Sequence, residues 1–151
     1  MTAIMVVNVP ERVLALDLGR RRIGLAVSDE LGWTAQGLPT LQRTTIREDL
    51  SRLAELADKL HVTRIVIGLP LHLSGTEGRQ AGHAREFGDR VKAKTNLPVE
   101  YWDERLTTVE AQRVLRQSGI SIEKRGKAVD QLSAVLILES WLDRFGGGDP
   151  D

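Results

Sequence analysis

Residues 13–28 have the sequence VLALDLGRRRIGLAVS and predict two strands joined by a turn. Val13–Leu16 is a continuous apolar run, typical of a strand that is buried on both faces, and the run ends on Asp17. We interpret Leu18–Arg22 as the turn and Ile23–Ser28 as a second strand that folds back to form a hairpin. A sheet therefore begins close to the start of the chain.

Helices and strands alternate after this hairpin. Short β-branched or apolar runs predict three further strands, at Leu38–Leu41, Arg64–Gly68 and Val99–Trp102. Apolar spacing and capping signals predict four helices, at 45–61, around 81–91, at 107–119 and from about Ala128 to Phe145. The last helix is predicted to bury one stripe of side chains: Leu132, Val135, Leu138, Leu142 and Phe145. Ile120–Lys127 is predicted to be a basic, mobile linker.

The order β-β-β-α-β-α-β-α-α predicts an α/β fold. Its sheet is expected to be mixed and five-stranded, with a hairpin meander followed by parallel strands, and with helices on both faces. The length of 151 residues fits one domain, predicted to span residues 1–145, followed by a disordered tail at 146–151. In open sheets of this kind, ligands bind beyond the carboxyl ends of the strands.

The composition excludes several classes of protein. With 41% hydrophobic and 28% charged residues, the chain is not expected to be disordered. No apolar run approaches the roughly 18 residues of a membrane span, so a soluble protein is expected. The absence of cysteine excludes disulfides, zinc-thiolate sites and a thiol nucleophile. The first ten residues do not resemble a signal peptide, which favours a cytoplasmic location.

The charge is balanced overall but basic in two places. Lys and Arg total 21 and Asp and Glu total 21, which gives no overall attraction to nucleic acid. Arg20, Arg21 and Arg22 form one basic run, in the turn after Asp17. The second basic stretch, between Glu104 and Lys127, contains Arg105, Arg113, Arg116, Lys124, Arg125 and Lys127. We expect these two stretches to contact phosphates, although a solvated turn and a solvated helix face are the alternatives.

Acidic residues occur where the predicted architecture converges. Asp17 ends the first strand, Asp103 and Glu104 end the last, and Asp130 lies in the first turn of the last helix. A carboxylate at the end of a buried strand needs a partner, and in a chain without cysteine a Mg²⁺ or Mn²⁺ ion is suitable. Three or four carboxylates can hold two such ions about 4 Å apart and hydrolyse a nucleic-acid backbone.

Each acidic residue also has a structural alternative. Asp17 could accept hydrogen bonds from the backbone of the Gly19 turn, and Asp103 or Glu104 could pair with a nearby arginine. Asp130 could simply stabilise the positive end of a helix. The pattern of acids alone leaves these alternatives open.

Four ordered blocks resemble a known family. Leu16–Asp29 is similar to the opening motif of the YqgF/RuvX family, bacterial RNase H-like proteins described as pre-16S rRNA nucleases and as Holliday junction resolvase-like. Val66–Leu71 with Ser74–Gly78 resembles the second block of the family. The third block of the family is similar to Trp102–Thr108 with Glu110-Ala111. The fourth is similar to Asp130 with Leu136–Leu138 and Trp141–Asp143.

The resemblance implies an RNase H-like fold and metal-dependent cleavage of phosphodiester bonds. Asp17 would be the central ligand of two metal ions, the pair Asp103 and Glu104 would supply the second ligand, and Asp130 the third. Because neighbouring side chains of a strand point to opposite faces, one member of the pair should reach the metal, and we favour Glu104 for its longer reach.

Several functions fit these predictions. The first is a nuclease, with Mg²⁺ or Mn²⁺ as cofactor, that processes the 5′ end of pre-16S rRNA in the pre-ribosomal particle. The second is a resolvase of four-way DNA junctions, which would act as a dimer; a monomer or a weak homodimer is expected here. The third is a non-catalytic RNA-binding module in ribosome assembly. A fourth, a fragment of an actin-like or sugar-kinase-like ATP site, is suggested by Asp17-Leu18-Gly19, but the chain is short for a two-lobed cleft.

Overall fold

The computed structural model describes residues 11–72, 74–104 and 122–145, with side chains from 131 onward in the last of these ranges. This part of the chain contains five strands and three helices. The strands are β1 (Val13–Leu18), β2 (Arg22–Ser28), β3 (Ala35–Gln42), β4 (Arg64–Leu69) and β5 (Val99–Asp103). The helices are α1 (Ile46–Lys59), α2 (Arg79–Thr95) and α3 (Ile122–Phe145).

The five strands form one mixed sheet in the order β3-β2-β1-β4-β5. β1 pairs antiparallel with β2 and parallel with β4, while β2 with β3 is antiparallel and β4 with β5 is parallel. The predicted α/β class with a hairpin meander and parallel strands is confirmed. β3 is longer than predicted, because an edge strand tolerates Pro39, which has no backbone N–H to donate.

Helices α1 and α2 cover one face of the sheet. The Thr45 hydroxyl accepts a hydrogen bond from the Glu48 backbone N–H at 3.1 Å, so the predicted capping residue begins α1. Leu53 and Ala57 of α1 pack with Phe87 and Val91 of α2 against the aliphatic side chains of the strands. The strand residues of this cluster are Leu14, Leu16, Ile23, Leu25, Val27, Leu41, Ile65, Ile67 and Leu69.

Helix α3 covers the opposite face; the prediction of where it begins is wrong, and the prediction of its buried stripe is confirmed only in part. It begins at Ile122, so residues 122–127 are helical rather than a linker; they are mostly good helix formers, and Gly126 alone costs only about 1 kcal/mol. The buried stripe is Ala134, Ile137, Leu138, Trp141 and Leu142, so Leu138 and Leu142 of the predicted stripe are confirmed. The other three predicted residues are less buried: Leu132 and Val135 are half-buried, with Val135 at the margin of the cluster, and Phe145 is 55% exposed.

Two further predictions lie outside the described residues: the helix at 107–119 and the tail at 146–151. Among the helices that are described, none is both long and apolar enough to cross a membrane.

Candidate active site

Asp17 lies on the α3 face of the sheet, near the carboxyl end of β1. It follows Val13 and Ala15, which pack under α3, at the same two-residue spacing. Its partner across the hairpin is Gly24 of β2. Gly24 therefore places no side chain beside the Asp17 carboxylate.

Glu104 follows β5 directly and lies on the same face. Its backbone N–H reaches the Leu69 carbonyl at 3.4 Å, which extends the β4–β5 pairing by one residue. Alternation from Trp102, which packs in the cluster under α3, places Glu104 on that face and Asp103 on the other. Asp103 is exposed, whereas Glu104 is half-buried. The structure therefore brings Glu104 to Asp17, and their assignment as metal ligands stays a prediction.

Gly68 of β4 makes room for the Glu104 carboxylate. A Cβ atom at Gly68 would lie 2.5 Å from Oε2 of Glu104 and 2.6 Å from Cδ1 of Ile137. The strand between β1 and β5 is thus bare of side chain where the two carboxylates meet. The signal in the sequence is a glycine inside the β-branched run Arg64–Gly68, which is unusual in a buried strand unless another group approaches closely.

The carboxylates of Asp17 and Glu104, hereafter the acid pair, are hydrogen-bonded to each other. Burial raises the pKa of Glu104, hydrogen bonding with Asp17 lowers it in part, and the negative charge of Asp103 raises it further. The net result is a pKa above the ordinary value for glutamate. A buried carboxylate beside other acids is an environment that an added cation would relieve.

The turn after β1 places basic side chains at the same edge of the sheet. The Gly19 N–H donates to the Arg22 carbonyl at 2.8 Å, and a Cβ at Gly19 would lie 2.7 Å from that oxygen, so the turn requires glycine. Arg20 and Arg21 are exposed in the turn, and Arg22 begins β2. Their prediction as phosphate contacts is compatible with this position.

The comparisons with known proteins decide the family. A family model described as "RuvX: Holliday junction resolvase" matches residues 11–144. The chain belongs to the RuvX family.

Curated relatives share a name. A protein of Koribacter versatilis (strain Ellin345), named "Putative pre-16S rRNA nuclease", is 56% identical over 135 residues, which are 89% of this chain and 88% of the relative. A protein of Myxococcus xanthus (strain DK1622) with the same name is 45% identical over 140 residues, 93% of each chain. The RuvX family predicted from the four sequence blocks is therefore confirmed.

Solved structures show the fold. RuvC of Thermus thermophilus in complex with a Holliday junction substrate has a TM-score of 0.56 at 16% identity, covering 93% of this chain and 99% of that one. A second structure of Thermus thermophilus RuvC has a TM-score of 0.53 at 15% identity, covering 89% and 96%. The RuvX chain thus has the predicted RNase H-like fold.

The other predicted site residues are only partly described. Asp130 belongs to α3, but its side chain lies outside the described residues, as do those of Lys124, Arg125 and Lys127. Arg105 and Arg113 lie in the stretch 105–121, which is not described at all. The neighbouring Gln131 donates to the Leu38 carbonyl at 3.1 Å, so α3 crosses β3 just after Asp130.

Sequence reasoning missed a set of basic residues near this edge. Arg43, Arg79 and Arg90 line a groove of about 790 Å³ that also includes Gly19 and Arg20 of the β1–β2 turn. Arg79 and Arg90 lie on α2, whereas Arg43 precedes α1, and no motif connects them. We identify this feature as the basic groove, defined by Arg20, Arg43, Arg79, His83 and Arg90.

Proposed function

We propose that this RuvX-family chain is a nuclease that hydrolyses phosphodiester bonds at the 5′ end of pre-16S rRNA, with the acid pair in its catalytic centre. The observation that carries the proposal is the meeting of Asp17, in β1, and Glu104, directly after β5, on one face of the sheet. The names of the relatives support the substrate. We propose the cytoplasm as its location and the pre-ribosomal particle as its partner.

The donor set of the site fits a hard divalent cation. Two carboxylates share one face, Gly68 leaves space beside them, and burial, together with the charge of Asp103, raises the pKa of Glu104. Asp17, Glu104 and Asp130 would hold Mg²⁺ or Mn²⁺, and we propose two ions. Such ions, when bound, supply positive charge that activates water and stabilises a leaving oxygen.

The remaining residues of the site have separate tasks. Arg20 and Arg21, at the turn beside Asp17, would position the phosphates on either side of the cleaved bond. Gly68 has no side chain, and the Glu104 carboxylate occupies the volume that a Cβ atom at this position would fill. Asp103 points away from Asp17 and would act only through its charge on Glu104.

The experiment that tests the proposal uses end-labelled RNA carrying the 16S precursor leader, with Mn²⁺ or Mg²⁺. We expect discrete cuts with the wild-type chain, and a loss on the order of 10³-fold in Asp17→Asn and in Glu104→Gln. Asp58→Asn, an exposed carboxylate at the far end of α1, is the matched control and should cut normally. Unchanged cleavage by Asp17→Asn would show the assignment to be wrong.

Asp103→Asn distinguishes the two neighbouring acids. We expect it to keep most of the activity that Glu104→Gln loses, because its side chain is exposed and faces away from the acid pair. An equal loss in both variants would contradict the choice of Glu104.

Resolution of four-way DNA junctions is the second candidate. The description of the family model favours it. Paired symmetric cuts in a labelled junction, made by a dimer, would support this function over RNA processing. Binding of RNA without cleavage of either substrate would instead favour a non-catalytic role in ribosome assembly.

A further inference from the structure

The basic groove lies on the α1/α2 side of the sheet edge that carries the acid pair. Its lining includes Leu18 and Gly19, which directly follow Asp17 in the sequence, and Pro70, which follows β4. Because Asp17 and Leu18 alternate, one points under α3 and the other into the groove. The acid pair and the groove are thus separated only by the edge of the sheet and the turn over it.

Positive charge dominates the groove. Four arginines and His83 line it, against the single carboxylate of Glu86. Within the described ranges, no carboxylate lies in salt-bridge distance of Arg20, Arg79 or Arg90. Three exposed guanidinium groups around one depression repel each other, and an anionic ligand would reduce that repulsion.

Arg43 is held in place before any ligand arrives. Its Nε donates to Asp49 Oδ2 at 3.3 Å, its Nη1 donates to the Gly19 carbonyl at 2.9 Å, and its guanidinium lies 5.3 Å from the centre of the Phe87 ring. These contacts use two of its five N–H donors. The others can bind a phosphate without a new loss of side-chain freedom.

The start of α2 adds to the attraction for anions. Arg79 is its first residue, no side chain caps the helix at Gly78, and its first turn carries no acidic residue. The positive end of the helix dipole is therefore not neutralised at the wall of the groove. α2 continues for 17 residues, so this end is well formed.

The shape of the groove favours a strand over a small anion. It continues into a second depression of about 640 Å³ that shares Arg20, Arg43 and His83 and adds Arg21. Leu18, Ile46 and Pro70 add apolar surface to the same lining, and Ile46 is 43% exposed. A lining with both apolar and cationic surface suits the exposed bases and the phosphates of an unpaired strand, whereas a duplex hides its bases.

We infer that the basic groove binds an unpaired polynucleotide strand, continuous with the strand that is cut at the acid pair. The identity of this strand, as the one that is cleaved, rests on the proposed nuclease function. Strand binding is measured without cleavage, so the binding inference and the nuclease function can fail separately.

The test measures binding of a fluorescent, roughly 12-nucleotide RNA and of the same DNA sequence to the full chain in EDTA, by anisotropy. The variant is Arg79→Ala with Arg90→Ala. The matched control is Lys92→Ala with Lys94→Ala, which removes the same charge from exposed positions of the same helix outside the groove. Thermal denaturation verifies that both variants are folded.

We expect the groove variant to bind on the order of tenfold more weakly than wild type, and the control to bind normally. The slope of log affinity against log salt should also become shallower by about 1.4, since each phosphate contact to a single strand contributes roughly 0.7. The RNA and DNA arms show which strand is preferred. A matching duplex or a mononucleotide should compete poorly.

Three results would overturn the inference: equal binding by groove variant and control, no binding by wild type, or a preference for duplex or mononucleotide. If the groove variant cleaves precursor RNA at the wild-type rate and with an unchanged KM, the nuclease function stands but the groove has no part in it. If the wild-type chain cleaves neither substrate and the groove variant still loses binding, the groove binds a strand but the nuclease function is refuted.

Discussion

The face of the sheet beneath α1 and α2 is lined by large aliphatic side chains, whereas the face beneath α3 carries small residues around the acid pair. On the first, Leu14, Leu16, Ile65 and Ile67 are fully buried. On the second, the strands contribute mainly Val13, Ala15, Ala26 and Val66, and then glycine at 24 and 68 as the acid pair is approached.

This difference separates two tasks within one sheet. Dense packing of branched side chains stabilises the fold, because each buried methylene contributes about 0.8 kcal/mol. Space and charge near the acid pair require the opposite, since glycine removes packing and a buried carboxylate loses hydration. The face under α1 and α2 therefore supplies stability that the face under α3 gives up near its site.

Ile67→Ala should give the largest loss of stability. Its side chain is fully buried under α1 and α2, and its truncation should lower the free energy of unfolding by about 2 to 5 kcal/mol. Cleavage per folded molecule should stay at the wild-type level, because the side chain points away from the acid pair. Urea denaturation and cleavage assays measure the two effects, and a loss of cleavage in fully folded protein would contradict the separation of tasks.

Gly68→Ala should act mainly on activity. The added methyl group would displace the Glu104 carboxylate or Ile137, and we expect cleavage to fall on the order of 10²-fold. Gly82→Ala is the control: nothing lies within 4 Å of its Cβ position, and it should stabilise α2 by about 0.5 to 1 kcal/mol. Normal cleavage by Gly68→Ala would mean that the position of the carboxylate is not critical.

Asp49→Asn should show that a buried carboxylate on the α1/α2 side stabilises the fold. Its oxygens accept from Arg43 Nε at 3.3 Å and from the Thr44 backbone N–H at 3.0 Å. Replacing one oxygen by an NH₂ group should lower the free energy of unfolding by about 2 kcal/mol. Asp58→Asn, exposed at the other end of α1, should change it by less than about 0.5 kcal/mol. Equal stability of the two variants would refute this role for Asp49.

Glu104→Gln should have the smallest effect on stability, and with the opposite sign. In metal-free protein the pKa of Glu104 is raised by folding, so its ionisation opposes folding as the pH rises through that pKa. The amide variant should therefore melt above wild type at about pH 8, and the difference should shrink toward about pH 4. Thermal melts in EDTA across this range measure it, and a constant difference would contradict the pKa shift.

Most of the fold could be predicted because its signals are local. The hairpin, the Thr45 cap and the β-branched strands are each specified by a few adjacent residues, and each is present in the structure. The buried side of α3 could not be predicted in the same way. Residues 134–138 are all apolar, so the spacing does not select a face, and the small residues of the facing strands determine which side packs.

The candidate site also has a part that the sequence predicts and a part that it does not. Asp17 and Glu104 could be proposed because each follows a recognisable strand, and strand alternation separates Glu104 from Asp103. The basic groove could not, because Arg20 and Arg43 meet Arg79 and Arg90 of α2 only through the packing of separate elements. Their proximity is a property of tertiary structure.

Pro39 has a consequence for self-association. It lies in β3, which forms one edge of the sheet, and it removes a backbone N–H that an incoming strand would need. In the part of the chain that the structure describes, the opposite edge is β5, the strand that leads directly into Glu104. Association of two copies edge to edge through β3 is therefore disfavoured.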